Sequence, residues 1–380
     1  MAAVQQAGVR PAPGTVSSSP PHQGRALDSL TGLRFVAAFA VLGYHVLYYV
    51  TGPAQRDLLP VFGRGGAAVG LFFLLSGFVL MWSQSVDQPA AVIWQRRLAR
   101  IYPAYLLAWV AAGCVLVWLH EPMGAGVGLM SLLLVQAWDP HASVYWGWNS
   151  VAWSLSCELF FYAMFPVVAR LIRRARPRTL IATAVACAGI TLTGSAVSLV
   201  LSPARAPLDY TLGTFGWFIY VCPLGRFPEF VLGCALAMML RRGMLPRLRL
   251  SVAVVAVVGA YALAYRSHHL AAQTGLLVLP FAALVVALAQ VDLAQRPGRL
   301  LARPAMVTLG AWSYSFYLLH GLILDAAGAT FIKTPIAAMP TALGALLVIA
   351  IAATGIAAVV FRLVERPVNA WARSNRAALK

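Results

Sequence analysis

Ionisable residues sit inside apolar runs long enough to cross a bilayer, and that combination constrains this chain more than any other feature. The runs lie near residues 31–50, 66–84, 101–119, 150–170, 179–202, 223–240, 247–265, 270–290, 305–328 and 338–361. A backbone in hydrocarbon must satisfy its own hydrogen bonds, so each run of about 20 residues is predicted to be a helix. The expected fold is an all-α polytopic membrane protein, a bundle of about ten transmembrane helices. The chain is 61% hydrophobic and 11% charged, more apolar than a soluble protein of its length requires. Its net charge of +18 comes from short basic clusters between the runs. The basic stripe with interleaved aromatics that marks a nucleic-acid binder is missing, so no nucleic-acid partner is expected.

Those clusters also orient the bundle. With both termini cytoplasmic, the inner segments hold Arg96, Arg97 and Arg100, the Arg170 to Arg178 cluster, Arg241, Arg242, Arg247 and Arg249, and Arg296, Arg299 and Arg303. Only Arg56, Arg64, Arg205, Arg266 and Lys333 remain outside, which is the asymmetry of the positive-inside rule. Residues 127–137 are apolar but short. Counting them as a span would move the Arg170 to Arg178 cluster outside, so they are read as re-entrant or interfacial. Residues 1–26, rich in Pro, Ser, Ala and Gln, read as a disordered tail, 27–370 as the transmembrane domain and 371–380 as a basic tail.

The first run holds Arg34 and His45 with ten residues between them. Eleven helical steps are about three turns, so both lie on one face, about 16 Å apart along the axis. Counting from the outer ends puts His45 about 8 Å deep, and Glu158 and His320 each about 12 Å deep. Arg226 and Glu229 enter from the same side, so the five are expected in one layer of the outer half of the membrane. Buried charges of this kind mark functional sites, although Arg226 with Glu229 also suits a structural ion pair. A neutral imidazole can take a proton from a hydroxyl, and a carboxylate behind it can fix its tautomer, which suits acyl transfer to an alcohol. Zinc would use the same residue types, but no HExxH or paired-His spacing occurs, so no metal is expected. At the cytoplasmic lip Arg97 and Arg100 are neighbours on one helix face and suit phosphate groups, although a plain basic flank has the same look. The five cysteines are odd in number and lie in apolar surroundings, which argues against a disulfide framework. Among them Cys157, beside Glu158, is the one singled out as a candidate nucleophile. The aromatic stretch Trp138, Tyr145, Trp146, Trp148 and Trp153, with His141, fits either an interfacial belt or a surface on which sugar rings stack. His268 and His269 read as solvated loop residues.

Six motifs in order resemble the acyltransferase-3 family of integral membrane acyltransferases. They are Leu30-Thr31-Gly32-Leu33-Arg34 followed by His45; Phe73-Leu74-Leu75-Ser76-Gly77-Phe78; Arg97-Leu98-Ala99-Arg100-Ile101; Trp153-Ser154-Leu155-Ser156-Cys157-Glu158; Ser313-Tyr314-Ser315-Phe316-Tyr317-Leu318-Leu319-His320; and Glu365-Arg366-Pro367. The resemblance covers residues 27 to 370. It implies acyl-CoA as cytoplasmic co-substrate, no permanently bound cofactor, and O-acylation of a sugar or similar hydroxyl in a bacterial inner membrane. It further implies His45 as the essential residue and Arg97 and Arg100 at the CoA end. On this reading Glu158 or His320 orients His45, Arg34 favours the phosphopantetheine, and Ser76 lines the thioester passage. The compact size and Ala/Arg-rich composition resemble macrolide-tailoring members, while other members modify cell-surface polysaccharides or lipid-linked sugars. Two further readings stay open: a covalent relay through His45 or Cys157, and a transporter or flippase of a lipid-linked sugar, which would also bury charges on a pathway.

Overall fold

A computed structural model describes residues 26–374 except 85–87, 123, 202–211, 266–269, 296–299 and 333–334. The tail expected before Ala26, the His268–His269 pair and the last six residues lie outside the described residues. Regular structure among the described residues is helical, and the one extended pairing is an isolated bridge between Val50 and Ile336. The helices are α1 (Asp28–Val46), α2 (Gly52–Phe62), α3 (Ala68–Ser83), α4 (Ala90–Trp118), α5 (Ala125–Leu132), α6 (Ala142–Tyr145), α7 (Trp153–Arg174) and α8 (Pro177–Leu201). They continue as α9 (Thr214–Tyr220), α10 (Pro223–Arg241), α11 (Leu250–Tyr265), α12 (Leu270–Leu293), α13 (Pro304–Thr330), α14 (Met339–Val360) and α15 (Arg366–Ser374). Among the described residues 9 helical stretches are long and apolar enough to cross a membrane. The tenth expected span is α11, apolar but only 16 residues long. Residues 127–137 do not form a span: α5 has 8 residues and gives way to a 3₁₀ turn at Gln136–Trp138.

Two kinds of contact set the arrangement. The first is close backbone approach at glycine, which apolar helices use where no hydrophobic force drives them together. A Cβ on Gly77 of α3 would overlap the Phe230 carbonyl of α10, and one on Gly233 would overlap the Leu74 carbonyl. In the same way Gly310 of α13 lies on the Thr31 carbonyl of α1, and Gly32 on the Leu301 carbonyl. Large apolar side chains on α8, α11 and α14, among them Val185, Val255 and Val348, are exposed, as lipid-facing positions are.

The second contact fixes where α1 begins. Its N-terminus has no cap of its own. Asp292, at the end of α12, supplies one: its carboxylate accepts the Ser29 backbone N–H at 2.8 Å and the Ser29 hydroxyl at 2.6 Å, all of it buried. α1 starts at what we call the lower end of the bundle and finishes at the upper end. Replacing Asp292 by Ala strips two buried donors of their acceptor, at a cost of about 1–3 kcal/mol. Thermal unfolding in detergent should show a lower midpoint for Asp292→Ala and a smaller drop for Ser29→Ala, which keeps the backbone bond.

Candidate active site

α1 and α13 run side by side in the same direction and bring His45 against His320. The rings lie 5.1 Å apart with planes 20° from parallel, and His45 Nδ1 is 2.8 Å from His320 Nε2. On its other side His320 Nδ1 is 2.7 Å from the backbone carbonyl of Tyr317. A carbonyl only accepts, so in the neutral pair His320 Nδ1 carries its proton and Nε2 its lone pair. His45 Nδ1 must then donate to that lone pair, and His45 Nε2 is left unprotonated. His320 is fully buried, whereas His45 lines a cavity.

Three cavities follow one another along α1. The upper one, about 290 Å³, is walled by His45, Tyr44, Tyr48, Trp146, Trp153, Tyr220, Tyr317 and Asp325. A narrow middle one, about 70 Å³, holds Arg34, Arg100, Glu158, Tyr162 and Tyr314, and shares Val69 and Tyr317 with the upper cavity. The lower one, about 660 Å³, is lined by Arg34, Arg96, Arg97, Arg100 and Arg366, and shares Arg34 and Arg100 with the middle cavity. Five arginines and, among the described residues, no acidic side chain in its wall suit the lower cavity to phosphate-like anions. The Arg97 guanidinium lies 5.7 Å from the centre of the Tyr162 ring.

Glu158 does not share a layer with His45. It lies lower, in the middle cavity with Arg34 and Arg100, and accepts from the Tyr162 hydroxyl at 3.4 Å. The depth count placed residue 150 at the membrane surface, but that loop is tucked into the bundle. Asn149 Nδ2 donates to the Leu318 carbonyl at 3.2 Å, and the Ser154 hydroxyl lies 2.9 Å from that of Tyr317. Glu158 is four residues, about 6 Å, further down from Ser154. Ser76 is also displaced: it lies 3.1 Å from the Tyr162 hydroxyl, behind the cavity wall rather than in it. Cys157 is buried, donates to the Val221 carbonyl and lines none of the three cavities.

The aromatic stretch divides. Trp146 and Trp153 face the upper cavity, whereas Trp148 stacks on Trp109 with ring centres 4.9 Å apart and Trp138 packs edge-on against Phe160. His141 is exposed and bonded to Asp139. Three lining residues had no site role in the sequence reading. Tyr317, one turn before His320, and Arg366, which in α15 reaches back to the lower cavity, stand in the quoted motifs, and Asp325 is the one acidic residue in its run. Each is an ionisable or hydroxyl-bearing side chain next to a marked one, and that was the available signal.

Comparison with known proteins agrees with these observations. A family described as an acyltransferase domain matches residues 27–361. A protein named acyltransferase MdmB, from Streptomyces mycarofaciens, is 36% identical over 320 residues, covering 80% of each chain. A protein named as a membrane-bound transacylase, BcsY, from Komagataeibacter xylinus, is 31% identical over 280 residues, covering 68% of this chain and 66% of its own. No solved structure matches.

Arg226 and Glu229 stand apart from all three cavities as a buried pair, 3.2 Å between Nη2 and Oε2. The Arg226 guanidinium lies between the Phe73 and Tyr220 rings and donates to Thr274 at 2.7 Å. Gly70 leaves the room that Glu229 fills, since a Cβ there would come 2.7 Å from Oε1. Removing one member of a buried pair costs about 3–5 kcal/mol, because the other charge is left alone. Glu229→Met should therefore lower the unfolding midpoint more than the double change Arg226→Met with Glu229→Met, a comparison that thermal unfolding in detergent makes directly.

Proposed function

The chain belongs to the acyltransferase-3 family of multi-pass membrane enzymes, and from that premise we propose that it moves a short acyl group from acyl-CoA to a hydroxyl of a sugar-containing acceptor. The observation that carries this reading is the run of three cavities along α1, arginine-lined at one end and histidine-lined at the other. The nucleotide phosphates bind Arg96, Arg97, Arg100 and Arg366 from the cytoplasm. The pantetheine arm passes Arg34 and Arg100 through the neck, and about 16 Å of α1 separates Arg34 from the imidazole that meets the thioester.

In the upper cavity the acceptor hydroxyl gives its proton to His45 Nε2 as its oxygen attacks the thioester carbonyl. The carbon–sulfur bond then breaks, the ester forms, and the CoA thiolate takes the proton from His45 Nε2, which restores the base. His320 holds His45 in the base tautomer and shares the charge of the imidazolium, with the Tyr317 carbonyl as the final acceptor of the chain. Glu158, bonded to Tyr162, lines the neck with Arg34 and Arg100 and offsets part of their charge there. A cavity of this size holds one substituted sugar ring, and the acceptor we propose is a small glycosylated secondary metabolite such as a macrolide. Its place is the bacterial cell membrane.

Transfer assays with purified protein test the chemistry. His45→Ala should lose about 10²–10⁴-fold in kcat, and His320→Gln should lose kcat with little change in KM for the donor. Cys157→Ala should keep full activity; loss of transfer there would favour a covalent relay. The donor site is tested apart from turnover, by thermal stability across an acyl-CoA series. A ligand of the folded state raises the midpoint with concentration, and Arg100→Ala or Arg366→Ala should weaken binding by about 10- to 100-fold. Absence of any shift with acyl-CoA would move the transporter reading ahead of the enzyme.

A further inference from the structure

One charged side chain in the upper cavity has no part in the acyl transfer described above. Asp325 lies on α13, five residues past His320, and is exposed at the cavity mouth. The Tyr49 hydroxyl donates to its Oδ1 at 3.1 Å, which leaves Oδ2 open. A carboxylate inside a membrane-length helix is expensive unless its charge is offset, and among the described residues no ion pair includes Asp325.

The surroundings show what would offset that cost. Around the same cavity stand the rings of Tyr44, Tyr48, Trp146 and Trp153. Aromatic faces grouped beside a carboxylate are the recognition chemistry of an alkylated ammonium, which binds by cation–π attraction and charge together. We infer that the acceptor carries an alkylated amine, that Asp325 and the aromatic wall bind it, and that they set which hydroxyl reaches His45. This rests on the upper cavity being the acceptor site. Asp325 stands about 8 Å along the α13 axis above His320, the residue bonded to His45, and an acceptor with its ammonium about that far from the reacting oxygen is the one to test.

The test uses a matched pair of alcohols that span this distance: a dimethylaminopentanol, and the neutral alcohol with an isopropyl group in place of the dimethylamino group. Binding of each to the CoA-loaded protein in detergent is measured by equilibrium dialysis, and transfer is measured in parallel. The wild-type protein should bind the amine at least about tenfold more tightly, with the difference in transfer appearing mainly in KM. Asp325→Asn, which keeps a hydrogen-bond acceptor for Tyr49, should bring the two alcohols to equal affinity, and Asp325→Glu should restore the preference. Retention of the thermal shift by free CoA identifies variants that are folded. Equal binding of both alcohols by the wild type overturns the proposal, and so does an amine preference that survives in Asp325→Asn. An amine preference without acylation of either alcohol supports the amine site and counts against acyl transfer, so the two readings fail separately.

Discussion

Gly32 and Gly310 bring α1 and α13 so close that each presses on a backbone carbonyl of its neighbour's segment, Leu301 and Thr31 respectively. That approach is what lets two imidazoles from different helices share a hydrogen bond. Asp292 sets the axial start of α1 by holding Ser29, and the helical rise then places Arg34 and His45 at fixed heights. The basic end and the imidazole end are in this sense two readings of one ruler. A side chain larger than hydrogen at either glycine would part the helices, and the His45–His320 bond would be among the first losses.

The proton order in the centre depends on a group that cannot titrate. Because the Tyr317 carbonyl only accepts, both imidazoles take the tautomer that leaves His45 Nε2 free. A carboxylate in that position, which the sequence suggested in Glu158, would carry a full charge at the same depth. A carbonyl supplies the orientation with only a dipole, which hydrocarbon surroundings tolerate far better. The charged side chains of the cavities stand away from this pair: arginines in the lower and middle cavities, Glu158 in the middle one and Asp325 near the upper mouth.

Helix periodicity is local, so the shared face of Arg34 and His45 could be read directly from the spacing. The apolar runs were legible for the same reason, since length and hydropathy suffice to mark a span. Depth was less reliable where a helix does not begin at the membrane surface. The loop before α7 is folded inward and bonded to Leu318 and Tyr317, and this puts Glu158 below the histidines. Rotation could not be read at all. Ser76 faces Tyr162 instead of a passage, and Trp148 turns to Trp109 while Trp146 turns to the cavity. These choices are settled by contacts between helices distant in sequence, and no pattern within one helix encodes them.

The neck between the two larger cavities has a consequence for the cell's energy supply. Any protein with space open toward both faces of a coupling membrane risks dissipating the voltage across it, and each charge that leaks forfeits about 2.3 kcal/mol per 100 mV. The middle cavity, about 70 Å³, has room for only a few water molecules. Its wall also carries Arg34 and Arg100 against the one carboxylate of Glu158, and the surplus of positive charge repels hydronium and metal cations alike. A neutral, flexible arm can slide through such a constriction where a hydrated ion cannot. On the proposed reading, a chemical group is handed from one side of the bilayer toward the other through a protein that remains an electrical insulator.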